Sequence, residues 1–344
     1  MIDFRERRKG IRVPFKNLGE ALQKTALQGH TEQSAENWLE ERGIGEGYRR
    51  EVLNAWVRAR YSQNLGTITA FGALLAADHA HSVGVDVAAL WAAMAEKSGA
   101  TLRLGAEVQG IERGSWGGWY VNSTSSPLLE MYDTVVIATP WGLSPLTQSL
   151  EQQLQPEDIP RNVSYVDQHI TLFVSTAKIS NDEFGGVDTV PGLILTTPCS
   201  WEYRNISGYT GRDGLGQPPF WVLSRIGESY GDMGKREYVY KVLSADKISD
   251  DLIQRWLGRG KDFVVVWRGY EKAAHSLLLP NQESAFSKIQ LDQGLWYTGS
   301  IEEAATGIDM GAVMGENVAA LIVDQWGKEG KYLSEDRRRP IDEE

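Results

Sequence analysis

The chain has 344 residues and a mass of 38.3 kDa, with 42% hydrophobic and 24% charged residues. These are ordinary values for a globular protein that is large enough to bury a sizeable core. The net charge of −11 and the pI near 5.1 argue against nucleic acid or an anionic membrane as a partner, because the long-range field repels phosphates. A single cysteine, Cys199, excludes an intrachain disulfide and a thiolate metal cluster. We expect Cys199 to be a small buried side chain rather than a nucleophile.

The start of the chain, MIDFRERRKG, lacks the apolar segment of a signal peptide, and apolar runs such as 71–77 are too short to span a bilayer. We therefore expect a soluble, cytoplasmic protein without a membrane span. The 12 tryptophans and 13 tyrosines are sufficient to line a large apolar pocket, although many of them will belong to the core.

Residues 31–60 are predicted to form two helices, the first capped by Thr31 and ended by Gly43. Helical spacing places apolar residues together at Ala35, Trp38 and Leu39 in the first helix, and at Tyr48, Val52, Trp56 and Val57 in the second.

A polar segment, YSQN at 61–64, comes next and is followed by small residues. His79 and His81 then lie two positions apart, a spacing that puts both side chains on one side of a strand but on opposite sides of a helix. We expect no metal here, because the remaining ligands are not evident and a metal site normally needs three or four.

A helix is predicted over 87–98, with Asp86 as its cap and Gly99 closing it. The alternating pattern beyond it predicts a β-meander and a buried strand, with strand residues at Leu102 and Leu104, at Val108 and Ile111, over 119–122, and over 132–140. From 141 to about 292 the chain becomes rich in β-structure and polar loops. Strands are predicted at 170–176, 193–197, 221–226 and 263–267, and a helix at 250–257.

The stretch 295–323 predicts a short aromatic strand, a turn at Thr298 and Gly299, and a long helix. Small residues recur along one stripe of this helix, at Gly311, Gly315 and Ala319, so another backbone or a flat ligand can approach closely. Free amide groups at such a turn suit an anion such as a pyrophosphate. The alternative is close packing of the helix on a sheet with no ligand.

Three segments in this order resemble the prenylcysteine oxidase (prenylcysteine lyase) family of flavoproteins. They are the helical pair ending in YSQN, the block from LWAAMAEKSGATLRLGAEVQGIER to YDTVVIATP, and the final TGSIEEAATGIDMGAVMGENVAALIV. The resemblance covers roughly residues 30–326. It implies oxidation of the thioether of a farnesyl- or geranylgeranyl-cysteine by FAD and oxygen, with release of a prenyl aldehyde, cysteine and peroxide.

The resemblance also implies an α/β fold of mixed α+β character, in which a truncated FAD/NAD(P)-binding-like domain is interleaved with a β-rich substrate domain. We expect residues 1–75 to form a helical part of the substrate lobe and residues 141–292 its β-rich part. The remnant of the flavin domain would comprise residues 76–140 and 293–330, and residues 331–344 would form a polar tail.

The flavin-binding residues implied by the resemblance are Val108 near the adenine, and Gly299, Glu302, Ile308, Asp309 and Met310 along the diphosphate, ribityl and isoalloxazine groups. The sequence departs from the family pattern because it contains no GxGxxG, the turn that holds the pyrophosphate. A glycine pair of the family is also replaced by Gly84, Val85 and Asp86. We therefore expect no cofactor, with FAD as the alternative. Residues 1–29 or a second subunit in a homo-oligomer would cover the sheet edge that a missing strand exposes.

The first functional hypothesis is a repurposed, flavin-free enzyme that cyclises or isomerises an apolar isoprenoid- or polyketide-like molecule without redox chemistry. The alternatives are an FAD-dependent thioether oxidase of the family type and a non-catalytic protein that binds a hydrophobic ligand. Classical hydrolase chemistry is disfavoured, since the sequence has no GxSxG. The candidate catalytic side chains are Tyr61, Gln63, Asn64, His79, His81, His169, Glu302 and Asp309.

Overall fold

The computed structural model describes residues 14–77, 87–186, 189–231, 234–258, 265–281 and 285–328. The helices are α1 (Leu18–Lys24), α2 (Ala35–Glu41), α3 (Glu46–Tyr48), α4 (Asn54–Tyr61), α5 (Ala70–Ala77), α6 (Val87–Ser98), α7 (Thr147–Glu151), α8 (Ser200–Ile206), α9 (Asp250–Leu257) and α10 (Ile308–Lys328). The strands are β1 (Val108–Arg113), β2 (Trp119–Ser123), β3 (Ser126–Tyr132), β4 (Val135–Ile137), β5 (Tyr165–Ser175), β6 (Leu193–Leu195), β7 (Val222–Tyr230), β8 (Arg236–Ser244), β9 (Val265–Ser276), β10 (Gln290–Asp292) and β11 (Leu295–Tyr297).

The strands form three sheets. β1, β2 and β3 make an antiparallel meander, and β10, β11 and β4 make a small mixed sheet in which β11 runs parallel to β4. The largest sheet is antiparallel, with the order β6-β7-β8-β5-β9. The predicted fold class, mixed α and β structure, is confirmed.

The long C-terminal helix α10 organises one core. Met310, Met314 and Val318 are buried against residues of α1 and β11. Asn317 fastens the start of the described chain to this helix, because its Oδ1 accepts a hydrogen bond from the Phe15 amide at 2.9 Å and its Nδ2 donates to the Phe15 carbonyl at 2.9 Å. Residues 14–27 thus pack on α10 as an integral part of the core.

The predicted helical pair is present, but its cap and one of its faces differ from the prediction. Ser34, not Thr31, caps α2, because the Ser34 side chain accepts from the amide of Asn37. A π-helical turn, Arg49–Leu53, separates α3 from α4. The wider turn breaks the 3.6-residue spacing on which the prediction relied. Val57 is therefore 2% exposed, while the residues predicted on its face are exposed, namely Tyr48, Val52 and Trp56.

The predicted helix over 87–98 is confirmed as α6, and Gly99 ends it with φ of 69°. Its apolar side chains are not part of a hydrophobic core, since no residue of α6 is buried against the described part of the chain. Trp91 is 46% exposed and Met94 is 52% exposed. The predicted strand at Leu102 and Leu104 is wrong, because both residues lie in an exposed loop before β1.

The strand predicted over 132–140 is shorter and less buried than expected. β4 spans only Val135–Ile137 and lies at the edge of its sheet among the described residues. Ile137 is buried, but Val136 is 42% exposed. The second subunit expected to cover this edge stays a prediction. Gly84, Val85 and Asp86 lie outside the described residues.

The β-rich segment follows the predicted pattern with one omission. α9 has the predicted bounds and is capped by Ser249, and the predicted strands correspond to β5, β6, β7 and β9. Sequence reasoning missed β8, whose Lys, Arg and Glu residues conceal its alternating apolar positions. None of the helices in the described ranges combines the length and the hydrophobicity needed to cross a membrane.

The Asn317 contact predicts a specific loss of stability. Asn317→Ala leaves the amide and the carbonyl of Phe15 without side-chain partners, and we expect a cost of about 2 kcal/mol in the free energy of unfolding. Asp324→Ala on the same helix removes only an i,i+4 ion pair with Lys328, with an expected cost of about 0.5 kcal/mol. Urea denaturation measures both, and equal losses would contradict the role of Asn317.

Candidate functional site

A fully buried arginine positions the polar segment 61–64 that follows α4. Arg58 Nη1 donates to Asn64 Oδ1 at 3.0 Å and to the Gly214 carbonyl at 2.7 Å, and Nη2 donates to the Leu215 carbonyl at 2.6 Å. Burial lowers the pKa of Arg58 to about 10, so the side chain stays charged at neutral pH. The guanidinium thus holds the segment against the loop that precedes β7.

Asn64 serves this network rather than an open site. Its Nδ2 donates to the carbonyls of Gly214 at 2.8 Å and Ile206 at 3.1 Å, while its Oδ1 accepts from Arg58. Asn54 supports the same turn, since its Oδ1 accepts from the Leu65 amide at 2.9 Å. With both of its polar atoms bonded within the protein, Asn64 is a positioning residue.

A chain of hydrogen bonds leads from this segment to the large sheet. Gln168 Nε2 donates to Ser62 Oγ at 2.7 Å, and Gln168 Oε1 lies 3.1 Å from His275 Nε2. An amide oxygen only accepts, so His275 donates from Nε2 and keeps a lone pair on Nδ1. Burial, together with the charge of Lys241, lowers the pKa of His275. The ring is therefore neutral at neutral pH, with an unprotonated Nδ1.

Two buried polar atoms beside this chain make no well-formed hydrogen bond to the described residues, Gln63 Nε2 and Tyr61 Oη, although Arg60 and Thr306 lie near the Tyr61 hydroxyl. Tyr61 and Gln63 are each 1% exposed, and burial raises the pKa of Tyr61. Gln63 Oε1 is occupied, because it accepts from the Leu278 amide at 3.0 Å. A buried polar group left unpaired costs about 1–3 kcal/mol. Such atoms are suited to a ligand that supplies the missing partner.

A second acid–base pair lies where β5 begins. Tyr165 Oη donates to Glu302 Oε2 at 2.5 Å. Burial raises the pKa of Glu302, although the bond from Tyr165 opposes the shift. The neighbouring Tyr297 accepts from the Trp141 amide at 3.2 Å. The raised pKa favours the protonated form of Glu302, which can donate a proton.

Apolar side chains follow Gln168 along the same face of the large sheet. Alternation along β5 places Ile170 and Leu172 on that face, and Leu243 of β8 is paired with Ile170. All three are only half-buried. We define the junction site as Tyr61, Ser62, Gln63, Gln168 and His275, together with this apolar strip. Tyr165 is three positions from Gln168 on β5, so the Tyr165–Glu302 pair belongs to the opposite face of the sheet.

An enclosed apolar pocket also lies between α2, α4 and α5. Trp38 and Trp56 contribute to its walls, as the tryptophan content led us to expect, but its volume is only about 40 Å³. Small-molecule pockets are typically about 300–1,000 Å³. The pocket is therefore too small for an isoprenoid.

Other predicted site residues lie elsewhere. His169 is on β5 beside Gln168, so its side chain is on the opposite face of the sheet. Asp309 is exposed in the first turn of α10, although its charge still raises the pKa of Tyr61. His79 and His81 lie outside the described residues.

Sequence reasoning missed Gln168, His275 and Tyr165. Gln168 carried a usable signal, because it is the polar member of an alternating row that otherwise contains Val166, Ile170 and Leu172. His275 carried none, since only the pairing of β9 with β5 brings it to Gln168.

The expected burial of Cys199 is wrong. Cys199 is exposed at the start of α8, with its Sγ 3.5 Å from Glu202 Oε2. In the described ranges, no group of three or more His, Cys, Asp or Glu side chains could hold a metal ion.

The residues that the resemblance placed along a flavin do not form an open cradle for it in the described part of the chain. A Cβ added to Gly299 would lie 2.4 Å from Tyr297 Oη, so this glycine faces the protein itself. Glu302 is bonded to Tyr165, and Met310 is 5% exposed within the α10 core. Val108, at 38% exposure, is more open.

Comparison with known proteins identifies the family to which the chain belongs. The fold combines helices with several sheets. The prenylcysteine lyase family matches residues 7–336, and the chain belongs to this family. No curated relative matches the sequence.

Among solved structures, chromopyrrolic acid-soaked RebC with bound 7-carboxy-K252c is 14% identical, with a TM-score of 0.35. The rebeccamycin biosynthetic enzyme RebC with reduced flavin is also 14% identical, with a TM-score of 0.35. Each match covers 69% of this chain and 40% of the RebC chain, so the aligned part spans less than half the length of RebC.

The raised pKa of Glu302 predicts a pH-dependent difference in stability. Because the folded state binds this proton more tightly than the unfolded state does, the stability contributed by Glu302 is greatest below the unfolded pKa. It falls as pH rises towards the folded pKa. Glu302→Gln cannot ionise, so its stability relative to the wild type should rise through that window.

Urea denaturation at a series of pH values measures this difference. Tyr165→Phe is the informative second variant, because it removes the hydrogen bond that lowers the pKa of Glu302. It should extend the window to higher pH. A difference between Glu302→Gln and wild type that stays constant with pH would contradict the assignment.

Proposed function

We propose that this member of the prenylcysteine lyase family is an enzyme that cyclises or isomerises an apolar isoprenoid- or polyketide-like molecule without flavin. One observation carries the proposal. The junction site combines a neutral imidazole with buried polar atoms that lack well-formed hydrogen bonds, beside a half-buried apolar strip. These are the groups that an acid–base rearrangement of an apolar molecule requires.

The apolar strip provides the binding energy. Ile170, Leu172 and Leu243 are half-buried, so a hydrocarbon chain laid on them removes further apolar surface from water, at about 25 cal/mol per Å². Holding a flexible chain in one folded conformation lowers the barrier to ring closure, because the ordering entropy is paid on binding.

The polar groups would then move a proton. Nδ1 of His275 takes a proton from one carbon of the substrate, and the imidazolium that results returns a proton to another carbon. A double bond moves in this way, or a ring closes when a carbon–carbon bond forms between the two proton transfers. Electrons are neither gained nor lost overall. Tyr61 Oη and Gln63 Nε2 would donate hydrogen bonds to a polar group on the substrate, which satisfies two atoms that otherwise lack well-formed hydrogen bonds.

A second function, an FAD-dependent thioether oxidase, is favoured by one observation in addition to family membership. A Cβ added to Gly311 or Gly315 would meet no atom within 4 Å among the described residues. One stripe of α10 is therefore open to a flat ligand or to another polypeptide. A non-catalytic protein that binds a hydrophobic ligand is the third possibility.

Two measurements separate these functions. Absorbance of the purified full-length chain near 450 nm, and a thermal shift on addition of FAD, would support the oxidase and contradict the flavin-free proposal. A colourless protein that converts farnesol, geranylgeraniol or a related polyene to an isomer of equal mass would support the rearrangement. Binding of the same polyenes without conversion would indicate the non-catalytic protein.

A substitution at Tyr61 tests whether its hydroxyl takes part in the reaction or only supports the structure. Tyr61→Phe removes a buried hydroxyl that makes no well-formed hydrogen bond to the described residues, although Arg60 and Thr306 lie near it. We expect the free energy of unfolding to stay constant or to rise by up to about 1 kcal/mol, while polyene turnover falls by about 100-fold.

Tyr203→Phe is the matched control, since Tyr203 Oη donates to Glu36 Oε2 at 2.5 Å. This variant should lose about 1–2 kcal/mol of stability and keep its turnover. A Tyr61→Phe variant that is less stable but fully active would show that Tyr61 has only a structural role.

A further inference from the structure

A separate cleft lies in the β-rich lobe, on the face of the large sheet that packs against α9. It has a volume of about 260 Å³. Its floor includes Ile179, Leu223 and Tyr240, which are 6%, 1% and 4% exposed. This size is just below the range of typical small-molecule pockets, about 300–1,000 Å³, and suits a ligand with a single ring or a short branched chain.

The cleft and the junction site lie on opposite faces of the sheet. Tyr240 is paired with Phe173 of β5, and directly paired residues of neighbouring strands share a face. Gln168 of the junction site is five positions from Phe173 on β5, and the pairing of β5 with its neighbours is regular between them. Side chains separated by an odd number of positions on a regular strand lie on opposite faces. The side chains of Gln168 and Phe173 therefore point in opposite directions, so a ligand in the cleft does not occupy the junction site.

Two cationic side chains line the cleft, Lys178 and Arg225. Lys178 Nζ lies 5.4 Å from the ring centroid of Tyr238, and Arg225 Cζ lies 6.0 Å from it. Arg225 is partly neutralised, since its Nη1 is 3.9 Å from Glu228 Oε1. Lys178 has no ion pair in the described part of the chain, and no carboxylate is among the described residues that line the cleft. The cleft therefore favours an anion.

Tyr240 adds a neutral hydrogen-bond donor. Its Oη accepts from the Ile179 amide at 3.2 Å, and the described structure contains no acceptor for its own proton. Burial raises the pKa of Tyr240, so the phenol keeps this proton at neutral pH. An ammonium and a phenolic hydroxyl above an apolar floor match a carboxylate attached to a hydrocarbon body.

We propose that this cleft binds a small organic carboxylate with an aromatic or branched apolar body. The carboxylate receives hydrogen bonds from Lys178 and from the Tyr240 hydroxyl, and Arg225 contributes long-range attraction. The apolar body lies against Leu223 and Ile194. The site does not depend on the function proposed for the opposite face of the sheet.

A matched pair of probes tests the charge requirement. Isothermal titration calorimetry with the full-length protein compares 4-phenylbutyrate with its neutral amide, 4-phenylbutanamide. We expect the acid to bind at least tenfold more tightly. Methyl NMR spectra of isoleucine-labelled protein locate the bound probe, because the signals of Ile179 and Ile194 should shift while that of Ile111, in a separate core, should not.

Three variants complete the test. Lys178→Met and Tyr240→Phe should each weaken binding of the acid by about tenfold and leave binding of the amide unchanged. Lys272→Met is the control, since Lys272 is an exposed lysine on β9 that pairs with Asp167 away from the cleft, and it should bind like the wild type. Thermal denaturation verifies that each variant is folded.

Each possible result of these experiments either supports the carboxylate site or overturns it. Tighter binding of the acid, shifts at Ile179 and Ile194, and selective weakening in Lys178→Met support the site. Equal binding of acid and amide, shifts at Ile111 instead, or an equal loss in Lys272→Met would overturn it. Neither result depends on flavin absorbance or on polyene turnover, so the outcome is separate from the test of the proposed function.

Discussion

The buried guanidinium of Arg58 is the constraint on which the rest of the structure depends. A charge removed from water is tolerated only when its hydrogen bonds are satisfied. Arg58 meets this requirement at Nη1 and Nη2 with neutral acceptors, the Asn64 amide and the carbonyls of Gly214 and Leu215, while its Nε has no hydrogen-bond partner among the described residues. The helical segment and the loop before β7 must therefore assemble together, since neither can satisfy Arg58 alone. The network also fixes Tyr61, three residues further along the chain.

Around this rigid network, the junction site is less completely satisfied. Asn64 uses both of its polar atoms within the protein, whereas Tyr61 Oη and Gln63 Nε2 make no well-formed hydrogen bond to the described residues. Folding favours complete pairing of buried groups, and exceptions are concentrated where a protein binds or reacts. Two such atoms in one short segment, Tyr61 Oη and Gln63 Nε2, are the main physical support for a ligand at the junction site.

Local patterns predicted the elements that local interactions define. α9 begins after its Ser249 cap, and β11 is a short aromatic strand before a turn, and both were predicted with their observed bounds. Features that depend on distant partners were not predictable. β5 and β9 are about a hundred residues apart, and only their pairing joins Gln168 to His275. The π-helical turn Arg49–Leu53 likewise has no signal in a pattern read at regular helical spacing.

Helix α6 has a consequence for the cooperativity of unfolding. None of its residues is buried against the described chain, so its tertiary contacts contribute little to holding it folded. An isolated helix of about 12–15 residues is marginal in water. The backbone amides of α6 should therefore exchange hydrogen with solvent through local opening, whereas those of α10, with Met314 and Val318 in the core, should exchange only when the surrounding structure unfolds. Within a single chain, α6 and α10 would therefore belong to different cooperative units.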